Sequence, residues 1–225
     1  MDWSPMLISI RTAMTAIVIT FFLGTYAAKW IFRLKSQKLK MIIDGILTLP
    51  LVLPPTVVGF MLLYTFGVKR PLGKFLVDYF SVRIVFSWTA TVIAAVVISF
   101  PLMYRSARAA FEQVDMNLIY AGRTLGMSES TIFWRVLMPS ALPGVASGGI
   151  LAFARGLGEF GATAMIAGNI AGKTRTLPLA IYSEVAAGNM EGAYNYVLII
   201  VAISFLIVLL MNYFTSKEKR YQMKR

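Results

Sequence analysis

The chain has no cysteine and no histidine. The first absence excludes disulfides, thiolate nucleophiles and cysteine metal sites, and the second removes the commonest metal ligand and the side chain that titrates nearest neutrality. Ten Asp and Glu are left as ordinary acid–base groups, so hydrolytic or redox chemistry is not expected, nor is a metal or a cofactor bound by this chain. A glycine-rich phosphate loop ending in Lys-Ser or Lys-Thr is also missing, which argues against ATP binding or hydrolysis here and against an enzyme. Charge itself is scarce: 14% of the 225 residues are charged and 58% are hydrophobic, whereas soluble domains carry about one-quarter charged residues.

The apolar excess is gathered into runs of about twenty residues, the length a helix needs to cross hydrocarbon. The expectation is an all-α polytopic membrane protein with about five transmembrane helices. No internal repeat or linker divides it, so residues 1–225 read as a single transmembrane domain. The formal charge of +12 fits this class without nucleic acid, because cytoplasmic loops of membrane proteins accumulate Lys and Arg.

The spans follow from hydropathy and charge. The first runs from about Leu7 to Trp30, with Arg11 able to snorkel toward the headgroups. Asp2 is the only charge before Arg11, whereas Lys29, Arg33, Lys35, Lys38 and Lys40 follow, placing the amino terminus outside. The second span, Gly45 to Phe66, is uncharged but contains Pro50, Pro54 and Pro55. Either it is broken there and helps to wall a pathway, or the helix ends near Pro54 and continues along the interface. An outer loop, 67–83, leads to a third span, Ile84 to Tyr104. A cytoplasmic excursion, 105–143, is followed by a glycine-rich fourth span, Gly144 to Ala167. A fifth, Tyr194 to Phe214, ends in the basic tail Lys217, Lys219, Arg220, Lys224 and Arg225. The three inner segments hold fourteen Lys and Arg and the two outer loops hold six, so the carboxyl terminus is cytoplasmic.

Within the excursion, Asp115 can cap a helix from Met116 to Leu125, and Gly126 stands where a left-handed terminating residue belongs. Ser128 can cap a second helix, with Glu129 in its first turn and Ile132, Phe133, Val136 and Leu137 at helical spacing until Pro139 stops it. Two short helices meeting at a glycine suit docking into a groove on another protein.

The stretch Tyr120-Ala121-Gly122-Arg123-Thr124-Leu125-Gly126, continued to Met138-Pro139 and Pro143-Gly144, resembles the coupling loop of bacterial ABC importer permeases of type I. Tyrosine stands where that motif opens with glutamate, glycine replaces its second alanine, and methionine replaces the leucine before proline. The stretches Ala154-Arg155-Gly156-Leu157-Gly158-Glu159-Phe160-Gly161-Ala162, Ala167-Gly168-Asn169-Ile170 and Gly172-Lys173-Thr174-Arg175-Thr176-Leu177-Pro178, with Leu49 to Gly59, are similar to molybdate permeases. Sulfate permeases share a looser version. The resemblance implies a subunit of the bacterial plasma membrane that imports molybdate or tungstate. It further implies a permease homodimer, two ATP-binding cassette ATPase subunits that use the ATP, and an extracytoplasmic oxyanion-binding protein. Tyr120, Ala121, Gly122, Arg123, Thr124, Leu125, Gly126, Phe133 and Pro139 are then the candidate ATPase-coupling residues.

Pro54, Pro55, Thr56, Arg155, Glu159 and Thr163 are candidates for the pathway or its gate. Arg155 and Glu159 stand four apart in a span, where one helix face brings them together, as a functional ion pair or as a structural one. The glycines of the fourth span let helices approach closely or provide a hinge. Permeation of sulfate, thiosulfate or another oxyanion is the alternative cargo. An ion-coupled secondary transporter is a weaker alternative, because it would more often show several intramembrane carboxylates and repeat symmetry. A membrane-anchored DNA reader is weaker still, since the second helix offers Phe133 and Trp134 instead of base-contacting polar groups.

Overall fold

Helix α1 (Ser4–Arg33) starts with Pro5 in its first turn, where a missing N–H removes no helical bond. Its buried stripe is made almost wholly of small residues, Ser9, Thr12, Ala13, Ala16, Thr20, Gly24, Thr25 and Ala28, closed by Ile31. Helix α5 (Trp88–Glu112) packs along that stripe with Ala90, Thr91, Ala94, Ala95, Ile98 and Ser99 buried. The approach is close: a Cβ on Gly24 would stand 2.7 Å from Met103 Cγ and 3.1 Å from the Tyr104 amide nitrogen. Between helices in lipid the hydrophobic effect gives little drive, so close packing and interhelical hydrogen bonds hold the pair. The Thr12 and Thr91 hydroxyls lie 3.0 Å apart, those of Thr20 and Ser99 3.2 Å apart, and Trp88 Nε1 donates to the Thr12 hydroxyl at 3.1 Å. Arg11 finds its place over the Trp88 ring, 4.0 Å from the centroid.

The structure is a computed structural model that describes the backbone of residues 2–222 and the side chains of residues 2–211. The basic tail side chains of Lys217, Lys219, Arg220, Lys224 and Arg225 lie outside the described residues. Among the described residues four helices are long and apolar enough to cross a membrane, or up to five if a bent pair is counted as one span. The fold is all-α, as expected.

The bent pair is α2 (Gln37–Val52) and α3 (Pro55–Phe66), whose axes differ by 107°. The residue before a proline is driven out of the helical region. Leu53 and Pro54 accordingly have ψ of 141° and 134°, and Pro55 opens α3 where its lost N–H is harmless. The helix is interrupted at Leu53 and Pro54, a break that both readings left open by the sequence contain. The segment between α3 and α5 contains a helix of its own, α4 (Pro71–Phe80).

The third span extends beyond its expected end at Tyr104, since α5 runs on to Glu112 and carries Arg105 and Arg108 out on the same helix. Helices α6 (Met116–Thr124) and α7 (Glu129–Ile132) follow. Pro139 does not stop the second helix. A π-helical segment, Phe133–Leu137, joins α7 directly to α8 (Met138–Leu157), with the Met138 N–H bonded to the Phe133 carbonyl. The wider π turn displaces the carbonyl that the proline ring would meet in a regular helix.

The fourth span also departs from expectation. It ends at Leu157, and the chain becomes helical again only after a break at residues 158–160, in the short α9 (Gly161–Ala167). The packing reading of its glycines holds for Gly144 and Gly148 against α5, and for Gly161 against the start of α3. A Cβ on Gly144 would stand 2.8 Å from Ala110 Cβ, and one on Gly148 2.3 Å from Ser106 Cβ, so α8 lies tightly on α5. Helix α10 (Leu177–Ala186) and α11 (Met190–Gln222) complete the chain. Helices α1, α5 and α8 enclose the main core around Ile31, Met103, Tyr104, Phe111 and Val145.

Candidate functional site: a projecting helix pair and two abutting helix breaks

Helix α6 begins where the Asp115 carboxylate accepts from the Asn117 amide at 2.9 Å. It closes in a Schellman turn: the Met127 N–H bonds to the Gly122 carbonyl at 3.1 Å and the Gly126 N–H to the Arg123 carbonyl at 3.0 Å. Gly126 has φ of +72°, the left-handed conformation the turn requires. Ser128 then caps α7 by accepting from the Thr131 amide at 3.2 Å. Across the turn, Arg123 Nε meets Glu129 Oε1 at 2.7 Å. That hydrogen bond holds the Glu129 carboxyl below the usual carboxylate range.

The pair is two-sided. Ile119, Ile132, Phe133 and Leu137 are buried in the core shared with the bundle, and Gly122 is buried within the pair against Ile132. Tyr120, Ala121, Arg123, Thr124, Leu125, Gly126 and Pro139 are exposed, and Leu125 is 78% accessible. Phe133 is therefore no part of the outer surface. Its ring packs on Phe111 at 5.7 Å and beneath the Lys29 ammonium at 3.9 Å, which makes it the anchor of the pair. The exposed aromatic of this turn is its neighbour Trp134, 61% accessible. The helical spacing of Ile132, Phe133 and Leu137 could not say whether that face meets this bundle or another protein.

The two helix breaks touch each other. A Cβ on Gly161 would lie 3.0 Å from Pro55 Cβ and 3.3 Å from the Thr56 amide, and one on Gly59 would lie 2.7 Å from Ala162 Cα. The structure thus brings Pro55 and Thr56 against the start of α9. At the same place Arg155 Nη1 meets Glu159 Oε2 at 2.8 Å, and Glu159 Oε1 accepts from the Ala162 amide at 2.8 Å. Glu159 is buried, and it satisfies a free amide of α9 while facing the charge of a half-buried Arg155. Thr56 and Pro54 are exposed, whereas Thr163 is 1% accessible and lies under the junction. Among the described residues no cluster of acids suits a metal ion.

A charged cluster not anticipated from the sequence ties α2 to α5. Asp44 accepts from the Tyr104 hydroxyl at 2.7 Å and from Arg108, and Arg108 also meets Glu112 at 2.9 Å. Lys40 lies 3.4 Å from the same Glu112. The signals were the i,i+4 spacing of Arg108 and Glu112 and an aspartate at the edge of an uncharged run.

A bundle of membrane-length helices interrupted where two breaks meet, with a helix pair projecting from one end, has the build of a transport permease. The chain belongs to the family described as the binding-protein-dependent transport system inner membrane component, whose model matches residues 9–220. It is thus a multi-pass inner-membrane subunit of an ABC importer, a transport component and not a catalyst, working with an ATPase and a substrate-binding protein. It is 39% identical over 221 residues to the molybdenum transport system permease protein ModB of Escherichia coli K12, covering 97% of this chain and 96% of that one. It is 38% identical over 218 residues to ModB of Haemophilus influenzae, covering 97% and 95%. Among solved structures, an inward-facing MetNI methionine ABC transporter matches with a TM-score of 0.69 at 18% identity, covering 96% of this chain and 93% of that one. A bacterial ABC transporter for import of the acidic polysaccharide alginate matches with a TM-score of 0.73 at 13% identity, covering 95% and 78%. At those identities the two structures bear on the fold alone.

Proposed function

We propose that this chain is the permease through which an ATP-driven importer moves molybdate into the cytoplasm. Residues 1–225 act as one transmembrane domain, paired with a second copy above two ATPase subunits and below an extracytoplasmic oxyanion-binding protein. The amino terminus is outside and the carboxyl terminus cytoplasmic. The chain itself binds no cofactor, and ATP is used by the partner.

The observation that carries this reading is the Schellman-closed helix pair, which presents Tyr120, Leu125 and Trp134 outward while Phe133 anchors it to the bundle. A rigid, two-sided element transmits displacement from an ATPase to the helices, because the turn fixes the angle between α6 and α7. Tyr120, at the position of the motif glutamate, docks by packing and by its hydroxyl. Arg123 is committed internally to Glu129. The gate is the junction of the two breaks, with Pro54, Pro55 and Thr56 on one side and the Arg155–Glu159 pair on the other. Neutralising that pair leaves no fixed charge to trap a dianion, so passage remains reversible. The cargo rests on the near full-length similarity to permeases named for molybdenum transport.

The test is the ATPase rate of the purified complex with its binding protein loaded in turn with molybdate, tungstate, sulfate or thiosulfate. Stimulation by the molybdate-loaded protein above the sulfate-loaded one supports the assignment. The reverse order reassigns the cargo.

A further inference from the structure

The ends of α1 and α2 meet the inner side of the helix pair around an open cavity of about 590 Å³. Its lining contains five cations, Lys29, Arg33, Lys35, Lys40 and Arg123, and a single carboxylate, Glu129. Two of the cations are neutralised, Lys40 by Glu112 at 3.4 Å and Arg123 by Glu129 at 2.7 Å. The other three form no salt bridge among the described residues, although Arg33 lies near enough to the Glu129 carboxylate to help hold its pKa down. Arg33 gives one N–H to the Glu129 carbonyl at 3.0 Å, and Lys29 rests on the Phe133 ring at 3.9 Å. The remaining walls are apolar, formed by Phe32, Leu34, Ile119, Ile132 and Leu137.

The general excess of Lys and Arg on inner loops explains why such residues occur near the ends of α1 and α2. It does not explain why three cations outside any salt bridge converge on one cavity beneath a helix pair. Like charges gathered against apolar walls repel one another in a medium of reduced dielectric, and an anion among them relieves that repulsion. The donor set is specific in kind. A guanidinium fork takes two oxygens of a phosphate and ammonium groups add point charge. The cavity also lies at the end of a membrane-spanning helix, the depth at which lipid headgroups sit, and basic pockets there accept anionic headgroups.

We propose that this cavity is a phosphate-binding site, held by Lys29, Arg33 and Lys35 and filled by the headgroup of an anionic phospholipid, with free inorganic phosphate the other source of the same chemistry. Occupancy joins the end of α1 to the helix pair. It leaves the outer surface of the pair open, because Tyr120, Leu125 and Trp134 are absent from the lining.

The experiment uses the full chain in phosphatidylcholine nanodiscs and measures retention of phosphatidylglycerol by native mass spectrometry. Lys29→Gln/Arg33→Gln/Lys35→Gln is compared with Lys69→Gln/Arg70→Gln/Lys74→Gln, which removes the same charge from the loop between α3 and α4 and the start of α4. Each basic group near an anionic headgroup contributes about five-fold in affinity, so the first variant should lose about a hundred-fold and the second almost nothing. Lys29→Arg/Lys35→Arg should keep the affinity, which separates lost charge from lost fold. In a second arm, millimolar inorganic phosphate is added. Displacement of the lipid shows a shared phosphate site. Binding of phosphate with no preference for phosphatidylglycerol over phosphatidylcholine makes the free anion the occupant of the same site. Equal losses in the two triple variants, or no loss in either together with no phosphate binding, would overturn the proposal. The measurement needs neither ATPase nor uptake, so it stands or falls apart from the transport reading.

Discussion

Replacing Gly126 by valine tests whether the angle of the helix pair matters. Gly126 has φ of +72°, and a Cβ placed on it would meet nothing within 4 Å. The penalty is therefore conformational and contains no clash. A β-branched residue in the left-handed region loses roughly 1–2 kcal/mol relative to glycine. That energy opposes the two bonds closing the turn, Met127 to Gly122 and Gly126 to Arg123, and shifts the balance of closed and open turn by a factor of about 5–30. If the ATPase docks only on the closed form, its apparent affinity falls by the same factor. Gly126→Asn, which tolerates this region, should recover most of the loss. The matched control is Gly172→Val, where φ is +69° and the surrounding space is equally empty, but on the loop before α10. Gly73 would be a poor control, since a Cβ there would stand 2.2 Å from the Gly67 carbonyl oxygen. The assay compares co-purified ATPase and substrate-stimulated hydrolysis at matched membrane abundance. Equal effects of Gly126→Val and Gly172→Val, or none from Gly126→Val, would refute the transmission role of the turn.

Three further outcomes are expected. Gly59→Ala should destabilise the chain by about 1–3 kcal/mol, because backbone atoms of Ala162 stand 2.7 and 2.9 Å from the new carbon and cannot rotate away; Gly45→Ala, in open space, should not, and melting in detergent separates them. Asp44→Asn should lower stability by about 1 kcal/mol, since it weakens a charge-assisted link between α2 and α5 that is partly screened by solvent; an unchanged melting temperature would contradict it. The Glu129 carboxyl titrates below the ordinary carboxylate value because of Arg123. Its contribution to the turn is thus present above the unfolded carboxylate pKa, about 4.3, and is lost as pH falls through the lower folded value. Arg123→Gln should move the Glu129 titration upward, as read by NMR of labelled glutamate in the full chain.

Much of this was legible in the residues. Apolar run length located the long helices, though not the ends of the third and fourth, and Asp115, Gly126 and Ser128 were readable as caps because each acts through its own local backbone. What escaped depended on neighbours distant in sequence. Pro139 reads as a helix stop, yet a π turn formed upstream carries the helix through it. Gly158 and Gly161 sit in an apolar run that counts as one span, and the break between them is set by contact with Pro55 and Thr56 across the fold. Phe133 and Trp134 are adjacent and both aromatic, and only packing against Phe111 decides which one is buried. Arg155 and Glu159 were placed together by their spacing, but not the Ala162 amide that shares the carboxylate.

The central claim is tested most directly by uptake. Cells lacking their own molybdate permease would express this chain with its ATPase and binding protein, and the accumulation of radiolabelled molybdate would be followed with excess unlabelled sulfate and with the ATPase inactivated. ATP-dependent accumulation that survives sulfate competition is the predicted result. Absence of accumulation at confirmed assembly, or uptake abolished by the excess sulfate, would contradict the assignment.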